Sequence, residues 1–146
     1  MKFIPMLLML LCFTSITCLA QKALYANFPE NFESPDTAAK AHYKAETIKL
    51  KTGEWALDYA LLGALAGHDH FNPTGKQSIR MQQNRSKPAY VEMNFDLSEG
   101  ASKVTVAYAA YYKDVASVWC LEYSTDGGPS IKKGRLSIDD ITIYKN

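Results

Sequence analysis

The adjacent aspartates Asp139 and Asp140 have the spacing that points most directly to chemistry. The apolar position before the pair is Ile138, and those after it are Ile141 and Ile143, so strand alternation changes parity across the aspartates. A one-residue β-bulge explains the change and would push a carboxylate out of the hydrogen-bonded ladder. Because Ca²⁺ takes about six to eight oxygen ligands, such a carboxylate is a suitable donor. The alternative is a bulge whose carboxylates accept backbone hydrogen bonds or face water.

The run Gly67-His-Asp-His70 has two imidazoles that flank an acid, as in some zinc sites. A third ligand at motif spacing is absent, since His42 is the only other histidine. We therefore expect an exposed polar loop. No Gly-x-Ser-x-Gly motif occurs, and the run around Cys120 offers no base, so this cysteine is predicted to be a small buried hydrophobe. The sequence predicts a protein that is not an enzyme.

Aromatic and planar polar side chains suggest a carbohydrate site instead. Sugars stack their C–H faces on flat rings, and groups such as amides and guanidinium ions bind the hydroxyls. The candidate rings are Trp55 and Tyr111, and the candidate polar partners are Arg80 and Asn84. The alternative for Trp55 is a place in the core. If Tyr111 and Tyr112 share a strand, their rings point to opposite faces, which leaves one near the surface.

The first twenty residues read as a secretory signal peptide, with Lys2, the apolar stretch Phe3–Phe13 and a cleavage site after Ala20. Cleavage removes one of the 16 lysines and arginines, which leaves 15 basic and 15 acidic residues. A formal charge near zero argues against nucleic acid as a partner. The apolar stretch is too short for a membrane span. We expect a secreted or surface-associated monomer, and a lipid anchor on Cys12 or Cys18 is the alternative.

Residues 21–146 fit a single domain of all-β class. Period-two alternation with Gly/Pro turns predicts an antiparallel sandwich, with a barrel as the alternative. Ser34–Lys44 is the one segment expected to form a short helix. The predicted strands are Thr47–Leu50, Trp55–Leu62, Ser78–Gln82, Tyr90–Asp96, Lys103–Tyr112, Ser117–Ser124 and Arg135–Tyr144. The predicted core residues are Val91, Met93, Phe95, Val104, Val106, Ile141 and Ile143.

The order of several segments resembles the galactose-binding-like jelly-roll domain of secreted bacterial proteins. That domain is similar to carbohydrate-binding modules and is often appended to extracellular nucleases and other hydrolases. The similar segments are Phe28–Glu33, Leu50–Trp55, Asp58–Gly63, Gly75–Arg80, Glu92–Asp96, Trp119–Gly128 and Arg135–Ile141. The segment between Gly128 and Arg135 is shorter than in this family, so a jelly roll here would lack two strands near its C-terminus.

The resemblance also implies a metal site and a function. In similar jelly rolls, a structural calcium joins an acidic residue of the first strand to one of the last. Here those positions are Glu33 and Asp139, with Glu30 and Asp140 as substitutes. The expected function is a secreted, non-catalytic accessory module that binds extracellular carbohydrate. The alternative is a structural or protein-interaction domain, or a fragment of a longer secreted hydrolase or nuclease, without a ligand groove.

Overall fold

A computed structural model of the chain describes residues 24–82, 86–115, 118–123 and 136–145. The expected signal peptide and Asn84 lie outside these residues. Two antiparallel sheets pack together as an all-β sandwich, which confirms the predicted class. The three-stranded sheet has the order β1 (Glu46–Lys49), β2 (Glu54–Asp58), β5 (Tyr90–Met93). The four-stranded sheet has the order β3 (Ala60–Gly63), β4 (Ser78–Met81), β7 (Leu136–Tyr144), β6 (Lys103–Ala110).

Within the described residues, the chain has no helix with the length and apolar character needed to span a bilayer. The expected short helix is present as a 3-10 helix over Thr37–Lys40. The Asp36 side chain caps it by accepting a hydrogen bond from the amide of Ala38 at 2.8 Å. Lys40 is buried, and its ammonium donates to the carbonyls of His42, Lys44 and Ala60, which ties the helix to β3.

The core lies between the sheets and includes aromatic rings from the segment before β1. Fully buried side chains include Phe32, Leu57 and Ile79. Of the seven predicted core residues, Ile143 is buried, with 3% of its surface exposed, and the other six are half-buried against the core. Five of those six lie on or beyond the edge strands β5 and β6. An edge strand has a neighbouring strand on only one side, so its inward side chains are less completely covered.

The predicted strand Trp55–Leu62 is wrong as a single element, because the chain changes sheets in its middle. Tyr59 has a φ of 49°, in the left-handed region, and it separates β2 from β3. Trp55 therefore faces the core from the three-stranded sheet, while Leu62 faces it from the other sheet. Sandwiches turn corners in this way when one strand contributes to both layers.

The predicted strand Ser117–Ser124 is also wrong over its described residues, 118–123, which form no strand. Cys120 in this segment is exposed, which corrects the prediction that it is buried. The half-buried ring of Trp119 packs edge-on against Tyr108, with the ring centroids 5.0 Å apart. This contact places Trp119 against β6, while Cys120 next to it is exposed.

The predicted bulge at the aspartate pair is confirmed. Thr105 of β6 pairs with Thr142, and Ala107 pairs with Asp139, so β7 contains one more residue than β6 between these pairs. Asp140 has a φ of 47°, a conformation that aspartate tolerates better than most residues. The extra residue restores the inward direction of the apolar side chains after the pair.

Glu30 joins the segment before β1 to both sheets. Its backbone forms two hydrogen bonds with Ile141 of β7, each 2.9 Å long. Glu30 is fully buried, with 0% of its surface exposed. Its carboxylate accepts hydrogen bonds from the amides of Phe32 and Thr52 at 2.9 Å and from the Thr52 hydroxyl at 2.8 Å. The Thr52 hydroxyl in turn accepts the indole N–H of Trp55 at 2.9 Å.

We predict that Glu30→Gln lowers the free energy of unfolding by ~2 kcal/mol, because an amide nitrogen replaces one acceptor and leaves buried donors unsatisfied. Urea unfolding of residues 21–146 measures the change. The matched control is Glu99→Gln, at an exposed carboxylate that pairs with Lys145, where a loss within ~0.5 kcal/mol is expected. Equal losses for the two variants would contradict the role given to Glu30.

Candidate ligand-binding surfaces

The loop over residues 64–77 lies on the outer face of the four-stranded sheet. The amide of His70 donates to the hydroxyl of Ser137 at 3.5 Å, and the amide of Asn72 donates to the Asp139 carboxylate at 2.8 Å. Two candidate surfaces result. One lies beside β7 near the end of the loop, and the other lies near its beginning.

The first surface is a depression whose lining is entirely polar apart from one glycine. It brings together three of the four residues predicted to bind metal, Glu33, Asp139 and Asp140, but not Glu30. Glu30 is instead engaged in the hydrogen bonds described above. The depression is lined by Asn31, Glu33, Asn72, Thr74, Gly75, Asp139 and Asp140.

Asn72 connects the loop to both aspartates of the bulge. Asp139 accepts the Asn72 amide on one oxygen and the Asp140 amide on the other, at 2.8 and 2.9 Å. The Asn72 side chain donates to the Asp140 carboxylate at 2.6 Å. The alternative interpretation of the aspartate pair, carboxylates that accept backbone hydrogen bonds, therefore describes Asp139, while one Asp140 oxygen has no hydrogen bond among the described residues.

Glu33 forms the opposite wall of the depression. One carboxylate oxygen accepts the amides of Lys76 and Gln77, at 2.9 and 3.4 Å. Gly75 lies close to this carboxylate: a Cβ atom on it would lie 2.5 Å from the same oxygen, so a larger residue there would displace the end of the Glu33 side chain. The loop backbone thus fixes the position of Glu33 relative to β7.

The electrostatics of the depression favour a bound cation. Burial raises the pKa of Asp139 to about 6, and the negative charges of Asp140 and Glu33 add to the increase, against two backbone hydrogen bonds that lower it. No cationic side chain of the described residues forms an ion pair with these carboxylates.

The donor set decides which metal the depression suits. Its side-chain donors are carboxylate, amide and hydroxyl oxygens, which suit Ca²⁺ rather than zinc. No group of three or more His, Cys, Asp or Glu residues in the described part of the chain is close enough to hold a metal by itself. A calcium ion here would therefore need the asparagine oxygens or water in addition to the carboxylates. His68 and His70 belong to no such group among the described residues. Their run lies in a loop, but Asp69 within it is buried, which corrects the expectation that the whole run is exposed.

The second surface is formed by the rings of His68, Tyr111 and Tyr112, which we call the platform. Strand β6 ends at Ala110, earlier than predicted, and Tyr112 has a φ of 49°. The two tyrosine rings therefore do not alternate as strand neighbours. Both contact the His68 imidazole, with ring centroids 5.9 Å away for Tyr111 and 4.3 Å for Tyr112.

The backbone holds the platform in this arrangement. The Tyr112 amide donates to the carbonyl of His68 at 2.9 Å. The Nδ1 atom of His68 lies 3.2 Å from the Ala66 carbonyl, so in the neutral imidazole Nδ1 is the donor and Nε2 is left as an acceptor. Tyr112 is 48% exposed, which places its aromatic ring at the surface, and His68 beside it is half-buried.

Of the predicted ligand-binding residues, Tyr111 belongs to the platform and Arg80 lies beside it. Its guanidinium carbon is 5.0 Å from the centroid of the Tyr111 ring. The hydrogen bond to Asp69 is the main reason that the pKa of Arg80 is raised further above its usual value. Trp55 is 2% exposed and belongs to the core, which was the alternative for this residue. Asn84 lies outside the described residues.

Sequence reasoning named Tyr111 and Arg80 but missed His68, Tyr112 and Asp69 as members of one surface. The histidine run and the tyrosine pair were each visible as motifs. No periodicity relates them, since the contact joins the loop after β3 to the turn after β6.

No family model, curated protein or solved structure matches this chain. The resemblance to the galactose-binding-like jelly roll therefore stays a prediction. The structure supports its all-β, two-sheet part.

The raised pKa of Asp139 predicts a pH effect on stability in the presence of chelator. The pKa is about 6 in the folded protein against a usual value of 3.8. The folded state therefore binds the proton more tightly, and this contribution to stability is lost as the pH rises through that interval. Relative to Asp139→Asn, the wild type should lose ~2 kcal/mol of unfolding free energy between about pH 4 and pH 7. Parallel pH profiles from urea unfolding would contradict this assignment.

Proposed function

We propose that this chain is a secreted, non-catalytic module that binds extracellular carbohydrate and is stabilised by calcium. The observation that carries the proposal is the half-exposed ring of Tyr112, stacked on His68 beside Tyr111 and Arg80. A domain without a ligand groove predicts instead that every large ring is buried.

The platform has the chemical components of a sugar site. A flat ring accepts the C–H face of a pyranose. The His68 imidazole stacks on the Tyr112 ring, and the ammonium of exposed Lys113 lies over that ring, 5.3 Å from its centroid, so both offer polar groups for sugar hydroxyls. Tyr112 is a bulky residue in a left-handed conformation, which costs on the order of 1 kcal/mol or more. Such strain is found at binding sites, where the surrounding contacts maintain it.

The arrangement favours binding over catalysis. The carboxylate closest in sequence to His68 belongs to Asp69, whose side chain is 0% exposed. Its oxygens accept hydrogen bonds from Arg80 and from the amide of Leu65. Because this carboxylate is buried and engaged, it is not placed to transfer a proton to a surface ligand.

Calcium is proposed for the depression between Glu33 and the aspartate pair. The ion would join the segment before β1 to β7 and to the loop, which are the three elements that meet there. It would also offset the repulsion among three carboxylates that raises the pKa of Asp139. Glu33 and Asp140 each have an oxygen without a hydrogen bond among the described residues, and these oxygens are the proposed ligands together with Asp139.

We predict that Tyr112→Ala weakens carbohydrate binding at least tenfold, or ~1.4 kcal/mol, because the stacking ring is lost. The measurement is binding of residues 21–146 to an array of galactose-, glucose- and xylose-based oligosaccharides, followed by calorimetry. Tyr90→Ala, at an exposed tyrosine of the other sheet, is the control and should keep the wild-type affinity. No binding by the wild type, or equal losses in the two variants, would contradict the proposal and favour a structural role.

Calcium should raise the melting temperature. At a free concentration a hundredfold above its dissociation constant, the ion would add ~2.7 kcal/mol to the free energy of unfolding. Magnesium should substitute poorly, because it demands a small octahedral shell. Thermal unfolding in calcium, in magnesium and in chelator measures the difference.

The variants Glu33→Gln and Asp140→Asn should each reduce the calcium response while they preserve the local shape. Asparagine tolerates the left-handed conformation of residue 140, and glutamine retains an oxygen for the amides of Lys76 and Gln77. Asp96→Asn, at an exposed aspartate outside the depression, is the control. Identical melting curves in calcium and in chelator would show that the ion does not bind.

A further inference from the structure

Beneath the platform lies a buried carboxylate, that of Asp69. Its oxygens accept hydrogen bonds from Nε of Arg80 at 2.7 Å, from Nη2 of Arg80 and from the amide of Leu65 at 2.7 Å. The Asp69 amide also donates to the Leu65 carbonyl at 2.9 Å. A single side chain therefore holds both the turn that carries His68 and a side chain of β4.

The sheet is shaped to admit this carboxylate. A Cβ atom on Gly63 would lie 2.8 to 2.9 Å from the three atoms of the Asp69 carboxyl group. Since Cβ atoms do not approach other atoms so closely, a side chain at position 63 would force the Asp69 carboxyl group to shift. The loop is thus fixed to the outer face of the sheet where Asp69 packs on Gly63 of β3 and bonds Arg80 of β4.

Arg80 connects Asp69 to the aromatic rings. Both of its bonds to Asp69 hold the guanidinium plane in a bidentate arrangement, and the side chain is only 17% exposed. The same guanidinium lies over the Tyr111 ring, whose neighbour Tyr112 is bonded to the His68 backbone. These contacts link three elements to one another: Asp69 of the loop bonds Arg80 of β4, Arg80 contacts Tyr111 after β6, and Tyr112 bonds His68 of the loop.

We propose that Asp69 is the positioning residue of the platform, and that it acts through Arg80 to set the arrangement of His68, Tyr111 and Tyr112. The proposal rests on the proposed function only for its binding readout. Asp69 is buried and is not proposed to contact the ligand.

Stability alone is a poor explanation for such a pair. Desolvation of two charges offsets much of their attraction, and apolar residues of similar volume often stabilise a fold as well or better. A buried ion pair does fix direction and distance, because the planar fork of arginine bonds a carboxylate in one geometry. A ring platform needs that geometry, and a hydrophobic core does not.

The test uses Arg80→Lys and Asp69→Asn in residues 21–146. Lysine keeps the charge beside Asp69 but loses the planar, bidentate group that lies over Tyr111. Asparagine keeps an acceptor for the Leu65 amide but loses the charge. Lys145→Arg, a change of the same kind in the exposed pair with Glu99, is the matched control.

Two readouts are needed, one of which requires no ligand. Nuclear Overhauser contacts between the His68 and Tyr112 rings report the platform itself, and the oligosaccharide array with calorimetry reports binding. We expect each of the two variants to lose those ring contacts and to bind at least tenfold more weakly, while Lys145→Arg matches the wild type in both. If Asp69→Asn fails to fold, the Arg80→Lys result decides.

The proposal is overturned if the folded variants keep the ring contacts, because Asp69 would then serve only the stability of the loop. If the contacts are lost and binding is unchanged, the positioning role stands but the platform is not the carbohydrate site. If the wild type binds none of the oligosaccharides but the ring contacts still depend on Asp69 and Arg80, the positioning role stands and the carbohydrate function fails.

Discussion

The buried carboxylate of Glu30 is the interaction on which the rest of the structure depends. It accepts three hydrogen bonds, while the backbone of the same residue pairs with Ile141 of β7. One residue thereby connects the segment before β1, the turn between β1 and β2, and the last strand. Glu30 therefore sets how the chain enters the sandwich. It also places Glu33 next to β7, where the depression forms.

The extra residue in β7 is the second constraint. Without the bulge, Ile138 and Ile143 would face opposite sides of the sheet, since they are five positions apart and successive side chains alternate. With the bulge, both are buried in the core. The same irregularity leaves Asp139 on the outer face beneath the loop and turns Asp140 towards Asn72. The chain therefore uses one local feature both to maintain its core and to collect carboxylates at the surface.

Sequence reasoning succeeded where a signal was local. The change of parity around Asp139 predicted the bulge, and alternation within single segments predicted five of the seven strands as separate elements. It failed at Tyr59, because an uninterrupted apolar pattern does not show that a strand has changed sheets. It also failed for residues 118–123, where an apolar composition suited a strand but the described residues offer it no pairing partner.

Of the two candidate surfaces, the depression was expected from the sequence and the platform was not. The meeting of Glu33 with Asp139 was expected from a resemblance that specifies which strands are neighbours. The meeting of His68 with Tyr112 depends on a loop that folds back over a sheet and on a left-handed turn after β6. Neither feature has a sequence period, and tyrosine at a positive φ runs against its own preference. The contacts of Asp69 and Arg80 with the loop and with Tyr111 help to maintain this arrangement against the local backbone preference.

We propose that one outer face of this protein carries two separate sites, a calcium site and a carbohydrate platform. The most direct test is a ¹H–¹⁵N correlation spectrum of residues 21–146, titrated first with calcium and then with the oligosaccharides of the array. We predict that calcium shifts the amides around Glu33, Asn72 and Asp140, whereas a bound oligosaccharide shifts those around His68 and Tyr112. Oligosaccharide shifts confined to residues outside the platform, or no shift with either addition, would contradict the account.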